Sequence, residues 1–205
     1  MIKPSDPSPS AFTASIDDPL FILDLANNHM GDVDHGLRII RELAEAVRSS
    51  RARVAVKFQY RQLDTFIHPD FRERTDVKYV KRFRETRLEP GAFEALKAEA
   101  ARLGLLALCT GFDEASVDLI ERQQFDFIKI ASCSFTDWPL LERIAATSLP
   151  IIASVAGTPL EDIDRVVSFF EHRRKDFALM HCVAEYPTPD DLLSLGQIDL
   201  LRNRY

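Results

Sequence analysis

Leu105–Ser154 reads LLALCTGFDEASVDLIERQQFDFIKIASCSFTDWPLLERIAATSLPIIAS. Three short apolar runs, LLALC (105–109), FIKIA (127–131) and IIAS (151–154), enclose two longer segments that open with helix-start residues. Asp113 precedes EASVDLIERQ, and Thr136-Asp137 precedes WPLLERIAAT. Near-continuously apolar runs of this length are strands buried on both faces, as in parallel sheets covered by helices. Strand, helix, strand, helix, strand is therefore the expected order, and the class is α/β.

The same rhythm extends outward. FILDLA (21–26), VAVKFQ (54–59) and FALMHCV (177–183) supply three further strands. GLRIIRELAEAVRSS carries Leu37, Ile40, Leu43, Ala44 and Val47 at helical spacing, and LEDIDRVVSFFEHR, which follows Thr158-Pro159, carries Ile163, Val166, Val167 and Phe170. The first strand leads into LANNHMGD, with no Gly-x-Gly-x-x-Gly, so the dinucleotide fingerprint of a doubly wound sheet is missing. Polar residues instead stand at the end of every strand, the pattern of a parallel (β/α)8 barrel of the TIM type. Such a barrel needs about 250 residues, whereas six strands are countable in these 205. An incomplete barrel over residues 19–205 is expected, two strands short and open at its edges, after a disordered tail over residues 1–18 that is rich in Pro, Ser and Asp. Edges of that kind would lead such a chain to self-associate or to fold only marginally. Tyr60–Pro90, dense in Arg, Lys, Asp and Phe, breaks the rhythm and reads as an insertion on the active-site side.

Composition narrows the function. Hydrophobic residues are 46% and charged residues 28%, ordinary for a folded domain, and the net charge is −6. This balance leaves no electrostatic footprint for nucleic acid or an anionic membrane, and any cationic site must be local. No apolar run reaches the roughly 20 residues of a membrane span, and a cytoplasmic protein is expected. Cys109, Cys133 and Cys182, an odd number without metal-site spacing, read as small buried residues in a reducing compartment.

Two lysines carry the chemistry. Lys57 in VAVKFQ and Lys129 in FIKIA interrupt apolar strands, where an unpaired ammonium would lose several kcal/mol in desolvation, roughly. They must face an anion or a polar cavity. Asp24 on the first strand would make a plain ion pair; a phosphate or carboxylate clamp, or a Schiff-base lysine, would make a site. Thr110, Ser132 and Ser154 occupy matching strand ends, so two cations and three hydroxyls would converge on a small, acidic, phosphorylated substrate. His29 and His181 could ligate a metal or satisfy a buried hydrogen bond. Tyr186, in a turn stiffened by Pro187 and Pro189, could stack on a sugar.

LDLANNHMGD, VAVKFQ, TGFDEASVDLI, FIKIASCSFTDWPLLERIA, PIIASVAGTPLEDI and LMHCVAEYPTP, in this order and spacing, resemble the N-acetylneuraminate (sialic acid) synthase family from Phe21 to Pro189. The resemblance implies a (β/α)8 barrel that condenses phosphoenolpyruvate with an N-acetylated amino sugar such as N-acetylmannosamine, giving a nine-carbon 2-keto acid and phosphate. It assigns Lys57, Thr110, Lys129, Ser132 and Ser154 to phosphoenolpyruvate, and Asp24, Gln59 and Tyr186 to the reacting centre and sugar. It also implies a manganese or magnesium ion whose family ligands, in Ser-Asp-His-Thr and Glu-Arg-His motifs, are absent from this chain, and a homodimer. The sequence departs from the family pattern in having Asp24 for Glu, Gly111 for Pro, Ser134 for an acidic residue, and Val155-Ala156-Gly157 after Ser154. A noncatalytic barrel fragment, or a degenerate paralogue that binds a phosphorylated metabolite or a partner subunit, is the alternative.

Overall fold

The computed structural model describes Ser10, Phe12 and residues 19–205. The remainder of the expected tail lies outside the described residues. Six strands form one sheet: β1 (Leu20–Asp24), β2 (Arg53–Tyr60), β3 (Leu106–Gly111), β4 (Phe127–Ile130), β5 (Ile151–Ser154) and β6 (Phe177–Met180). They lie side by side in chain order, and every neighbouring pair is parallel. The order never reverses, so there is no switch point of the kind that defines a doubly wound sheet. The result is an α/β half-barrel.

Helices connect the strands. α1 (Val33–Val47) follows β1, and the expected insertion after β2 contains α2 (Leu63–Phe66) and α3 (Lys78–Glu85). After it come α4 (Pro90–Arg102), α5 (Glu114–Arg122), α6 (Trp138–Ala145), α7 (Leu160–His172) and α8 (Gly196–Arg204). The start signals act as expected at α5, where the Asp113 carboxylate accepts from the Ser116 N–H at 2.7 Å, and at α6, where Asp137 accepts from Leu140 at 3.4 Å. Pro159 stands at the N-cap of α7 without a side-chain cap.

Alternation along the strands separates two environments. Val56, Phe58, Cys109, Ile128, Ile130, Ile151 and Ala153 face outward and pack with Leu96, Ile120, Leu141, Val166 and Phe170 of the helices in the main core. Ala55, Leu108, Phe127 and Ile152 face inward, with Leu20, Ile22, Leu106 and Phe12 against them. The Phe12 ring lies 5.7 Å from that of Phe127, and the Ser10 hydroxyl donates to Asp176 at 2.5 Å. Continued by steps of two toward the C-terminal ends, the inner face changes from apolar to polar: Asp24, Lys57, Gln59, Thr110, Lys129 and Ser154.

The turn after β1 fixes the insertion in place. Gly31 has φ +77°, and a Cβ there would lie 2.7 Å from the Glu85 carbonyl oxygen at the end of α3. Left-handed backbone and close approach both require glycine. Gly31→Ala is expected to cost about 1–3 kcal/mol; an unchanged urea midpoint would show that this contact is slack.

Candidate functional site

The register brings the strand-end residues into one layer. Asp24 pairs in register with Lys57, Gln59 with Thr110, Thr110 with Lys129, and Lys129 with Ile152, two residues before Ser154. Lys57 Nζ lies 2.8 Å from Asp24 Oδ2, so the simple ion pair is formed. The Asp24 side chain is 52% exposed, and a pair so open to water contributes only about 0–1 kcal/mol.

Lys129 differs. It is buried, and its Nζ donates to Ser154 Oγ at 2.5 Å, with the Ile130 carbonyl at 3.5 Å. No carboxylate among the described residues forms an ion pair with it. Burial first, and then the charge of Lys57, pull its pKa down to about 8, while the Asp24 carboxylate acts in the opposite direction. Two ammonium groups share this face with the half-exposed Asp24 carboxylate, which stands on β1 beyond Lys57, so among the described residues the layer is short of negative charge.

The hydroxyls are distributed around this pair. Thr110 is buried on the strand between Gln59 and Lys129. Ser132 begins a single 3-10 turn after β4 and accepts from the Ala156 N–H at 3.1 Å, which ties the turns after β4 and β5 together. Tyr186 is not brought in: it lies beyond β6 with 90% of its surface exposed. Cysteine burial also departs from expectation. Cys109 is buried under the helices, where desolvation pushes its thiol up, but Cys133 is exposed because it sits on the 3-10 turn rather than in the strand.

Both histidines take structural roles. His29 is fully buried, its Nδ1 accepts from the Gly31 N–H at 3.1 Å, and its ring stands edge-on to Phe93. Burial, then the nearby His35, lower its pKa to about 4, so it is neutral. His181 places Nε2 2.8 Å from the Leu193 carbonyl and therefore donates there. The described residues gather no group of three His, Cys, Asp or Glu side chains able to hold a metal ion. The donor set present does not fit the expected manganese or magnesium, and no step below is routed through one.

One contributor was not singled out in the sequence. Arg61 Nη2 donates to Gln59 Oε1 at 3.0 Å, while its guanidinium lies over the Phe112 ring at 3.7 Å. Only the density of Arg and Phe in the insertion hinted at it.

A buried cation without an anion lowers stability. Lys129→Met is expected to raise it by about 1–3 kcal/mol at pH 7. The lysine pKa is depressed in the folded state, so its penalty is complete below about pH 8 and fades toward the ordinary lysine value. The advantage of the variant should therefore shrink between those pH values, and denaturant melts at pH 7 and pH 10 would detect it. A destabilised variant at pH 7 would mean that the ammonium is compensated in the free protein.

This geometry has counterparts in known proteins. The spore coat polysaccharide biosynthesis protein E of Chromobacterium violaceum is 58% identical, with a TM-score of 0.90 over 92% of this chain and 56% of its own. The N-acetylneuraminic acid (sialic acid) synthetase of Leptospira borgpetersenii, solved with citrate, is 28% identical, with a TM-score of 0.80 over 92% of this chain and 63% of its own. The N-acetylneuraminate-9-phosphate synthase of Drosophila melanogaster is 28% identical over 93% of this chain and 52% of its own. The chain spans about half the length of the curated relatives it matches. With the NeuB family model matching residues 43–205, the chain belongs to the NeuB family.

Proposed function

We propose that this protein condenses phosphoenolpyruvate with an N-acetylated amino sugar of the N-acetylmannosamine type, forming a nine-carbon 2-keto sugar acid and inorganic phosphate. The observation that carries the reading is the pair of inner-face ammonium groups, Lys57 on β2 and the unpaired Lys129 on β4, near the C-terminal ends of parallel strands that flank β3. Phosphoenolpyruvate has two anionic groups, a carboxylate and a phosphate, and a site short of negative charge suits it. The names of the Leptospira and Drosophila relatives support the same reaction class. In this reading the six strands are the first six of a (β/α)8 barrel.

Each residue then has a task. Lys57 and Lys129 neutralise the two anionic groups, and Thr110, Ser132 and Ser154 donate hydrogen bonds to the remaining oxygens. Asp24 and Gln59 meet the acceptor aldehyde and its neighbours at the mouth, and Tyr186 approaches the sugar from the rim. The enol C3 attacks the aldehyde carbon of the open-chain sugar, forming the carbon–carbon bond while the aldehyde oxygen takes a proton. Water adds at C2, and the tetrahedral intermediate expels phosphate. Two fixed cations favour this step because negative charge accumulates on the departing group.

Phosphate release by the full-length protein, with phosphoenolpyruvate, manganese and a panel of N-acetylated sugars, tests the proposal. Sugar-dependent release is expected; none with any sugar would reject it. The lysine adds a pH signature. The ammonium is charged below about pH 8 and is lost above it, so phosphoenolpyruvate affinity should fall about tenfold between pH 7 and pH 9. Lys129→Met should weaken binding by about 2–5 kcal/mol and flatten this dependence. Calorimetry with a flat wild-type profile would remove Lys129 from the clamp.

A further inference from the structure

Beside Gln59, with neither Lys57 nor Lys129 in its lining, a cavity of about 280 Å³ opens between the end of β2, the insertion and α5. Leu63, Leu88, Phe93 and Leu119 give it apolar patches, the Arg87–Glu89 ion pair stands at 3.4 Å in its lining, and Arg61 and Ser116 bring further polar atoms to it. Neither polar group is fully satisfied. The Arg61 guanidinium lies over Phe112 and, at 4.4 Å, over Phe83, and its Nη2 is committed to Gln59. Its Nε is buried without an acceptor, as is the hydroxyl of Ser116, a residue only 1% exposed.

Arg61 also lacks a counterion. No carboxylate among the described residues pairs with it. The Asp113 oxygens are occupied by the Gln62 N–H at 2.8 Å and the Ser116 N–H at 2.7 Å. Burial brings the guanidinium pKa down to about 10; the Asp113 carboxylate acts against this without making an ion pair, and the like charge of Arg82 adds slightly to it. The insertion over residues 60–90 has eight Lys and Arg against six Asp and Glu, several of them in ion pairs, in a chain whose net charge is −6. A buried guanidinium held on aromatic rings, with a spare donor and an unpartnered hydroxyl in the same lining, is an arrangement suited to a phosphate or carboxylate.

We infer that this cavity is an anion subsite for the acceptor: it takes a negatively charged substituent of the amino sugar, phosphate or carboxylate, against the Arg61 guanidinium and the Ser116 hydroxyl. A neutral sugar hydroxyl would leave the buried guanidinium without an anionic partner. The inference rests on the reading of Gln59 as an acceptor-side residue, since Gln59 borders both the lysine layer and the cavity.

The test uses the full-length protein and three acceptors: N-acetylmannosamine, its 6-phosphate and its 6-carboxylate. One charged acceptor is expected to exceed the neutral one by at least tenfold in kcat/KM, and which one does so identifies the anion. Arg61→Gln should lower this charged-to-neutral ratio at least tenfold, and Arg61→Lys should lower it less. Any loss common to both acceptors, including one caused by disturbing Gln59, cancels in the ratio. Calorimetry with the same sugars, at saturating phosphoenolpyruvate so that the lysine pair is filled, reads the subsite without turnover. If no acceptor releases phosphate, the synthase reading falls; wild-type binding of a charged sugar that Arg61→Gln abolishes would still uphold the subsite. A wild-type protein that does not favour either charged sugar, or a ratio unmoved by Arg61→Gln, overturns it.

Discussion

A strand offers its side chains alternately to its two faces, and in this sheet the outer face is already committed to the helices. Val56, Phe58, Ile128 and Ile130 must face outward to join the main core, so Lys57, Gln59 and Lys129 must face inward. Parallel pairing then aligns neighbours, placing Thr110 beside both Gln59 and Lys129. A shift of one residue in β2 or β4 would turn Lys57 or Lys129 under the helices and bring Phe58 or Ile128 to the inner face. The packing of the outer core thus sets the position of the inner chemistry.

That chemistry is held at a cost to the free protein. The inner face is apolar at its base, where Ala55, Leu108, Phe127 and Ile152 cluster, and becomes polar only near the mouth. Lys129 lies at this boundary, close enough to the apolar layer to lose hydration and supported mainly by Ser154. A charge in such surroundings gains more from an arriving anion than one in bulk water would, because the local dielectric is low.

Much of this was legible in the sequence because it is local. Each strand is a short apolar run, and a lysine inside such a run must face an anion or polar partners: Lys57 meets Asp24, while Lys129 meets the Ser154 hydroxyl. Strand limits were less legible: the sixth run reads as far as Val183, but β6 stops at Met180, where its pairing with Ser154 of β5 ends. Cys133 was misjudged because the 3-10 turn begins one residue earlier and rotates it outward. Arg61 was hidden for a different reason. Its aromatic bed is assembled from Phe83 in α3 and Phe112 after β3, and no pattern near Arg61 announces two rings that distant in the chain. His29 could have been a ligand or a buried group on sequence grounds; the Gly31 N–H, two residues on, occupies its Nδ1 lone pair.

The bond from the Ala156 N–H to Ser132 Oγ has a consequence for how that serine meets a guest. A hydroxyl in water samples three staggered rotor positions. One that already receives a proton has a lone pair engaged, so its own hydrogen is confined to the directions that remain. Ser132 therefore presents a donor whose orientation is largely set before anything arrives, and accepting a bond makes it a stronger donor in turn. Because the accepted proton comes from the turn after β5, an oxygen that takes the Ser132 hydrogen is joined through one atom to two loops, and its hold on the first stiffens the second.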